Sequence, residues 1–230
     1  MSTTPVATSS DRCARRSPCA HRTAELSVAE MEREVLFEVS AAVAARDPEK
    51  LERSLRLAIR FCESEEVNEV LLQSHLFVGF PITLEALRLW RGLVPTTASV
   101  PPAEPSDRWE ERGEAVCRSV YGHRYEKLRA NVRGLHPDFD RWMVVGGYGR
   151  VIGRGGLDLV TRELCIVALL AVWNTPRQLH SHLRGAVNCG ATAVEVEGAL
   201  EVASRYLEPE RACEIWKLWA RIGRRSEGSL

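Results

Sequence analysis

A carboxylate and an imidazole flank one apolar hairpin in this chain, and they are the pair best suited to proton chemistry. Glu163 lies in Arg162-Glu163-Leu164, at the entrance of the run LCIVALLAVW. His182 lies on the returning stretch RQLHSHLRGAVNCGAT, past a turn at Asn174-Thr175-Pro176. The outgoing run is apolar almost all round, so its helix should be buried. Buried ionisable groups are costly unless paired, which makes Glu163 and His182 the polar groups expected to meet. With the turn centred on Thr175, Glu163 lies about twelve residues before it and His182 about seven after, a stagger of roughly 7 Å at the helical rise. Two long side chains bridge that span. Spacing alone leaves a plainer reading equally open, with Glu163 favoured near a helix N-terminus and His182 a satisfied core histidine.

The elements that must position this pair are read from composition and helix punctuation. The chain has 230 residues, with 31 basic and 31 acidic side chains, so neither nucleic acid nor an anionic membrane is an expected partner. No apolar run is expected to reach membrane-spanning length, and the N-terminus has no secretory h-region. Seven cysteines without a CxxC pair point to mostly free thiols in a reducing compartment, with the cytoplasm as default. Cys13, Cys19 and His21 fit no standard metal spacing, and no helical pair such as HExxH occurs, so no metal is expected.

Residues 1–25 are Ser/Thr/Arg-rich and expected to be disordered, and residues 94–106 form a Pro-rich linker. Helical blocks are expected over 26–93 and 107–222, with a polar tail at 223–230. Ser27 with Glu30 and Thr192 with Glu195 read as capping boxes. Asp47-Pro48 and Thr175-Pro176 read as N-caps before a first-turn proline. No alternating strand is evident, so the fold is expected to be all-α. The blocks also look like tandem copies: shifted by 128 residues, Asp47-Pro48 falls on Thr175-Pro176, Ser64 on Thr192 and Pro81 on Pro209. The second block keeps His182 where the first has Arg53-Ser54, so one is expected to carry the chemistry and the other to complete the wall.

The second block resembles the carboxymuconolactone decarboxylase family, within the alkyl hydroperoxidase D-like superfamily. The matching residues are Tyr148-Gly149, Val151, Arg154, Gly156-Leu157-Asp158, Arg162-Glu163-Leu164, His180, His182, Ala186, Asn188, Gly190-Ala191-Thr192 and Glu195. The stretch EVLLQSHLFVGFP, Glu69 to Pro81, resembles the closing helix and Gly-x-Pro turn of the same unit. The resemblance implies an all-α tandem duplication of the alkyl hydroperoxidase D-like unit, packed in antiparallel hairpins, and a homo-oligomer, a trimer of two-repeat chains. Peroxidases of the superfamily carry a CxxC pair before the histidine, and here Thr175 and Gln178 stand at those places.

Decarboxylase chemistry would need a cation to anchor the substrate carboxylate and an acid to protonate the enolate left behind. On this reading Glu163 and His182 are catalytic, Arg150, Arg154 and Arg162 supply the anchor, and Tyr148 lines the pocket with Trp142. His75, close to the GFP turn, could enter a composite wall or be a hydrogen-bonded interior histidine. The leading expectation is a cofactor-free lyase acting on a small carboxylate or lactone. The alternatives are an alkyl hydroperoxidase D-like antioxidant, peroxiredoxin-type, using Cys165 or Cys189, and a non-catalytic small-molecule-binding or assembly protein.

Overall fold

Helices account for the regular structure of the computed structural model, which describes residues 27–95 and 105–226. The expected disordered N-terminal segment, most of the Pro-rich linker and residues 227–230 of the tail lie outside the described residues. The first block comprises α1 (Val28–Ala45), α2 (Pro48–Phe61) and α3 (Ser64–Leu93). The second comprises α4 (Arg108–Tyr121), a one-turn 3₁₀ segment, α5 (Tyr125–Leu135), α6 (Pro137–Trp142), a π-helix over Met143–Ile152, then α7 (Leu159–Trp173), α8 (Pro176–Asn188), α9 (Ala193–Ser204) and α10 (Pro209–Ser226). The fold is all-α, with no strand among the described residues.

Local signals account for most helix starts. Ser27 and Glu30 close a capping box on α1, as do Thr192 and Glu195 on α9. Asp47 accepts from the backbone N–H groups of Glu49 and Lys50 ahead of Pro48. Two helix starts are made in other ways. The start of α3 is capped around Glu63, whose N–H donates to Glu66, rather than at Ser64. Thr175 makes no capping bond, and its buried hydroxyl has no partner among the described residues. Proline at the first position presets the helical φ there, so α8 starts without that cap.

The hairpins α1–α2 and α7–α8 turn alike. Arg46 and Asn174 follow α1 and α7 in the left-handed region, at φ 58° and 62°, and are the positive-φ non-glycine residues among those described. The helices α1 and α7 pack on each other at the centre, with α3 and α9 against them. Every residue from Leu164 to Ala171 is buried, so α7 is core on all sides. Burying each of its larger aliphatic side chains contributes roughly 1.5–3 kcal/mol. The expectation that no stretch reaches membrane-spanning length is corrected by α3, whose 30 residues are long and apolar enough by length and composition. It breaks at Gly79 (φ 79°, ψ 169°), two residues before Pro81, and its buried face packs on α1 and α7.

Two features of the second block bear on the site. The π-helix lies backbone-to-backbone against α4. A Cβ on Gly149 would meet the Trp109 carbonyl, its carbon 2.7 Å away, and one on Gly113 would stand 2.9 Å from the Val144 carbonyl carbon. Backbone cannot swing aside as a side chain can, so G149A is expected to destabilise the protein by about 1–3 kcal/mol. The urea midpoint checks this, and an unchanged midpoint would refute the close approach.

The second feature is Asp140 on α6, which is buried and receives Arg129 through Nη2 at 3.0 Å and through Nε, and Arg133 at 2.7 Å. The bonds from Arg129 hold its carboxyl below the usual carboxylate range, burial opposing and Arg133 assisting. A carboxyl depressed in the folded state stabilises above its unfolded pKa, and that stability is lost as pH falls through the folded value. Wild type should therefore lose stability below about pH 4 more steeply than D140N, as followed by helical circular dichroism during acid titration.

Candidate functional site

Glu163 enters on the second turn of α7 and His182 on the second turn of α8. The antiparallel hairpin brings them together: His182 Nδ1 lies 2.8 Å from Glu163 Oε2, and both residues are buried. Beside a carboxylate that can only accept, Nδ1 carries the proton and donates, which leaves Nε2 as the ring nitrogen facing any ligand. Glu163 Oε1 is buried with no partner among the described residues. A carboxylate oxygen left without a donor is expensive, so this atom marks a place for a proton, water or substrate donor.

Room for the pair comes from Gly185, one turn beyond His182. A Cβ there would stand 2.6 Å from Glu163 Oε2 and 2.7 Å from Val120 Cγ1. The remaining walls come from distant elements. Phe77 on α3 packs edge to face with the His182 ring at 5.5 Å between centroids, so a first-block side chain lies against the pair. Tyr148, on the π-helix, donates to the Tyr121 hydroxyl at 3.1 Å, and the two rings pack edge to face. Both phenols are pushed above their ordinary range, chiefly by burial and in part by the Glu163 charge. They are therefore neutral hydroxyls close enough to Glu163 to feel it.

The arginines expected to anchor a substrate are placed differently. Arg162 is fully buried and points away from Glu163 into the first block. Its Nη2 donates to Glu69 at 2.8 Å and to the Arg154 and Gly155 carbonyls, its Nε to Leu157 and its Nη1 to Gln73 at 3.4 Å. The guanidinium pins the 153–158 loop to α3, and its donors are engaged by protein. Arg154 lies 3.3 Å from the same Glu69 carboxylate. Arg150 is exposed and stacks 5.2 Å over Trp109. None of the three bonds to Glu163 or His182. His75 is half-buried, bonds the Leu72 carbonyl at 2.5 Å and stacks with Phe80. Trp142 is 66 % exposed. Sequence reasoning missed Phe77 and Tyr121. Neither has a local signal, although Phe77 lies within the GFP-bearing stretch.

The thiols are poorly suited to attack. Burial pushes Cys117 up to about 12, with the Glu163 charge adding to the shift and Arg129 opposing it. Cys189 rises to about 12 through burial and Glu163, and Cys62 to about 12 through burial, Glu66 and Glu32. Cys165 is raised well above its ordinary value by burial. Because the thiolate is the nucleophile, these four are inert thiols at neutral pH.

Comparisons with known proteins add a relative and a family. A 27 % identity over 160 residues links this chain to Peroxisomal protein 2 of Schizosaccharomyces pombe, covering 65 % of this chain and 71 % of that protein. The family model that matches is that of the carboxymuconolactone decarboxylase family, over residues 137–218, a span from α6 into α10 that holds Tyr148, Glu163 and His182. In that region, the part that carries the buried Glu–His pair, the chain is similar to the carboxymuconolactone decarboxylase family.

Proposed function

We propose that the protein is a cofactor-free lyase acting on a small carboxylate or lactone by acid–base chemistry. The observation that carries this reading is the buried bond between His182 Nδ1 and Glu163 Oε2, which leaves Oε1 without a partner among the described residues. Decarboxylation breaks the bond to the carboxylate carbon, releases carbon dioxide and leaves the electron pair in an extended enolate. A proton from His182 Nε2 then forms the new C–H bond, and solvent restores it. Glu163 fixes the ring and offsets its positive charge while both nitrogens are protonated. The neutral Tyr148–Tyr121 pair suits a polar wall that adds no charge. With Arg162 and Arg154 both on Glu69, the substrate carboxylate would be met by Arg150.

The matching order of α1–α2–α3 and α7–α8–α9–α10, with left-handed turns at Arg46 and Asn174, supports a tandem duplication. Exposed Phe80, Leu84, Phe139 and Trp142 support assembly into a homo-oligomer.

Turnover of carboxylactones, read as carbon dioxide release, tests the lyase reading. Peroxide consumption with a general thiol reductant, for wild type against a variant with all seven cysteines replaced, runs alongside. The expected result is lactone turnover in both proteins and peroxide consumption in neither. Cysteine-dependent peroxide consumption without lactone turnover would establish the antioxidant reading instead.

A further inference from the structure

The hairpin α1–α2 of the first block has its own groove, and its chemistry differs from that around His182. Ser54 stands 128 residues before His182 and, like it, is buried on the second helix of its hairpin. An aromatic side chain from the other block meets each of them. Phe77 lies against His182, and Tyr206, 129 residues further along, reaches Ser54 with its hydroxyl at 3.4 Å. Tyr206 donates its proton to Glu38 at 2.5 Å, and Arg205 closes on the same carboxylate at 3.3 Å. The groove holds about 720 Å³, within the range of small-molecule sites.

Its lining has two parts. Met31, Val35 and Leu57 give it an apolar floor. Lys50, Arg53 and Arg60 stand on the rim along one face of α2. The charges do not cancel. Arg56 is committed to Glu52 through Nη2 at 2.6 Å, and Arg205 to Glu38. Lys50 sits over the Tyr206 ring at 5.3 Å, and its nearest carboxylate, Asp47, is 4.0 Å away. Arg60 lies over Phe61, and Arg53 makes no ion pair or hydrogen bond with a described residue. With Lys50 paired to Asp47, Arg53 and Arg60 remain, and Glu38 on the wall is already bonded. In a chain of zero net charge, that is a local surplus of positive charge beside an apolar floor.

We propose that this groove binds a small organic anion, a carboxylate carried on an apolar body, at a site separate from Glu163 and His182. The body lies on Met31, Val35 and Leu57, and the carboxylate meets Arg53 and Arg60, Arg53 being free to bind both its oxygens. A polyanion such as free phosphate would gain from the rim and lose the floor. A neutral amphiphile would gain only the floor.

Octanoate is the probe, titrated calorimetrically and followed by the NMR signals of the Met31 methyl and the Tyr206 ring. The expected result is saturable binding that shifts both signals. The double substitution R53E/R60E should weaken it at least tenfold, with an unchanged urea midpoint because both residues are exposed. Octanamide should bind at least tenfold more weakly than octanoate, as should inorganic phosphate. H182Q should bind octanoate like wild type, which separates failure of this proposal from failure of the lyase reading. Octanoate binding that survives R53E/R60E, or is lost in H182Q, would overturn the proposal. So would attachment to phosphatidylglycerol vesicles without binding of free octanoate, since the rim would then serve a membrane surface.

Discussion

If the proposed lyase chemistry holds, substituting His182 with glutamine should lower lactone turnover by a factor of about 10²–10⁴, the usual worth of a positioned general acid. Glutamine is the informative replacement because its amide can still donate to Glu163 Oε2, the bond Nδ1 makes at 2.8 Å. It cannot pass a proton to carbon. Alanine would instead leave a fully buried carboxylate with neither oxygen bonded, mixing lost chemistry with lost stability. E163Q should lose less, since a glutamine oxygen still accepts from Nδ1 while the charge opposite the ring is gone. The measurement is kcat for each variant in heavy water, with deuterium incorporation at the product carbon as a second readout. H182Q turning over at the wild-type rate would remove His182 from the chemistry and leave the pair a structural one.

Breaking the Glu69–Arg162 pair should be the most damaging change to stability. Arg162 has no exposed surface, and the Glu69 side chain is only 7 % exposed. E69A would strand a buried guanidinium on carbonyl oxygens alone, at a cost of about 3–5 kcal/mol. In a chain of this size that lowers the melting temperature on the order of 10 °C. R162K should also destabilise, because a lysine cannot reach Glu69 and the carbonyls of Arg154, Gly155 and Leu157 together. Thermal unfolding followed by circular dichroism gives the answer. A variant of normal stability whose substrate KM rose sharply would return Arg162 to the role of ligand anchor.

Helix punctuation was legible because its physics is local. A capping box spans three residues, so Ser27 with Glu30 and Thr192 with Glu195 could be read directly from the chain. A proline at the first helical position was as plain for α2 as for α8, although Thr175 turned out not to cap. The meeting of Glu163 and His182 was also within reach, since nineteen residues and one turn separate them and the helical rise fixes the stagger. The π-helix was not legible. Its register depends on the backbone of α4 passing so close that Gly113 and Gly149 cannot carry a side chain.

Arg162 marks the boundary between the two kinds of information most sharply. Beside Glu163 in sequence it looked like part of the same site, yet successive positions on a helix face different ways. Its partner Glu69 is 93 residues distant, on α3. Phe77 and Tyr121 likewise reach the site only because α3 and α4 pack against the α7–α8 hairpin. The sequence by itself determined an all-helical chain, most of its helix starts, and which carboxylate and imidazole were within reach of each other. All three follow from short-range spacing and the need to pair buried charge. Only the tertiary structure decided which cations are committed to holding the fold, which aromatics wall the site, and where positive charge is left over. Those depend on contacts between elements far apart in the chain, and side-chain identity alone does not say which way a residue will point.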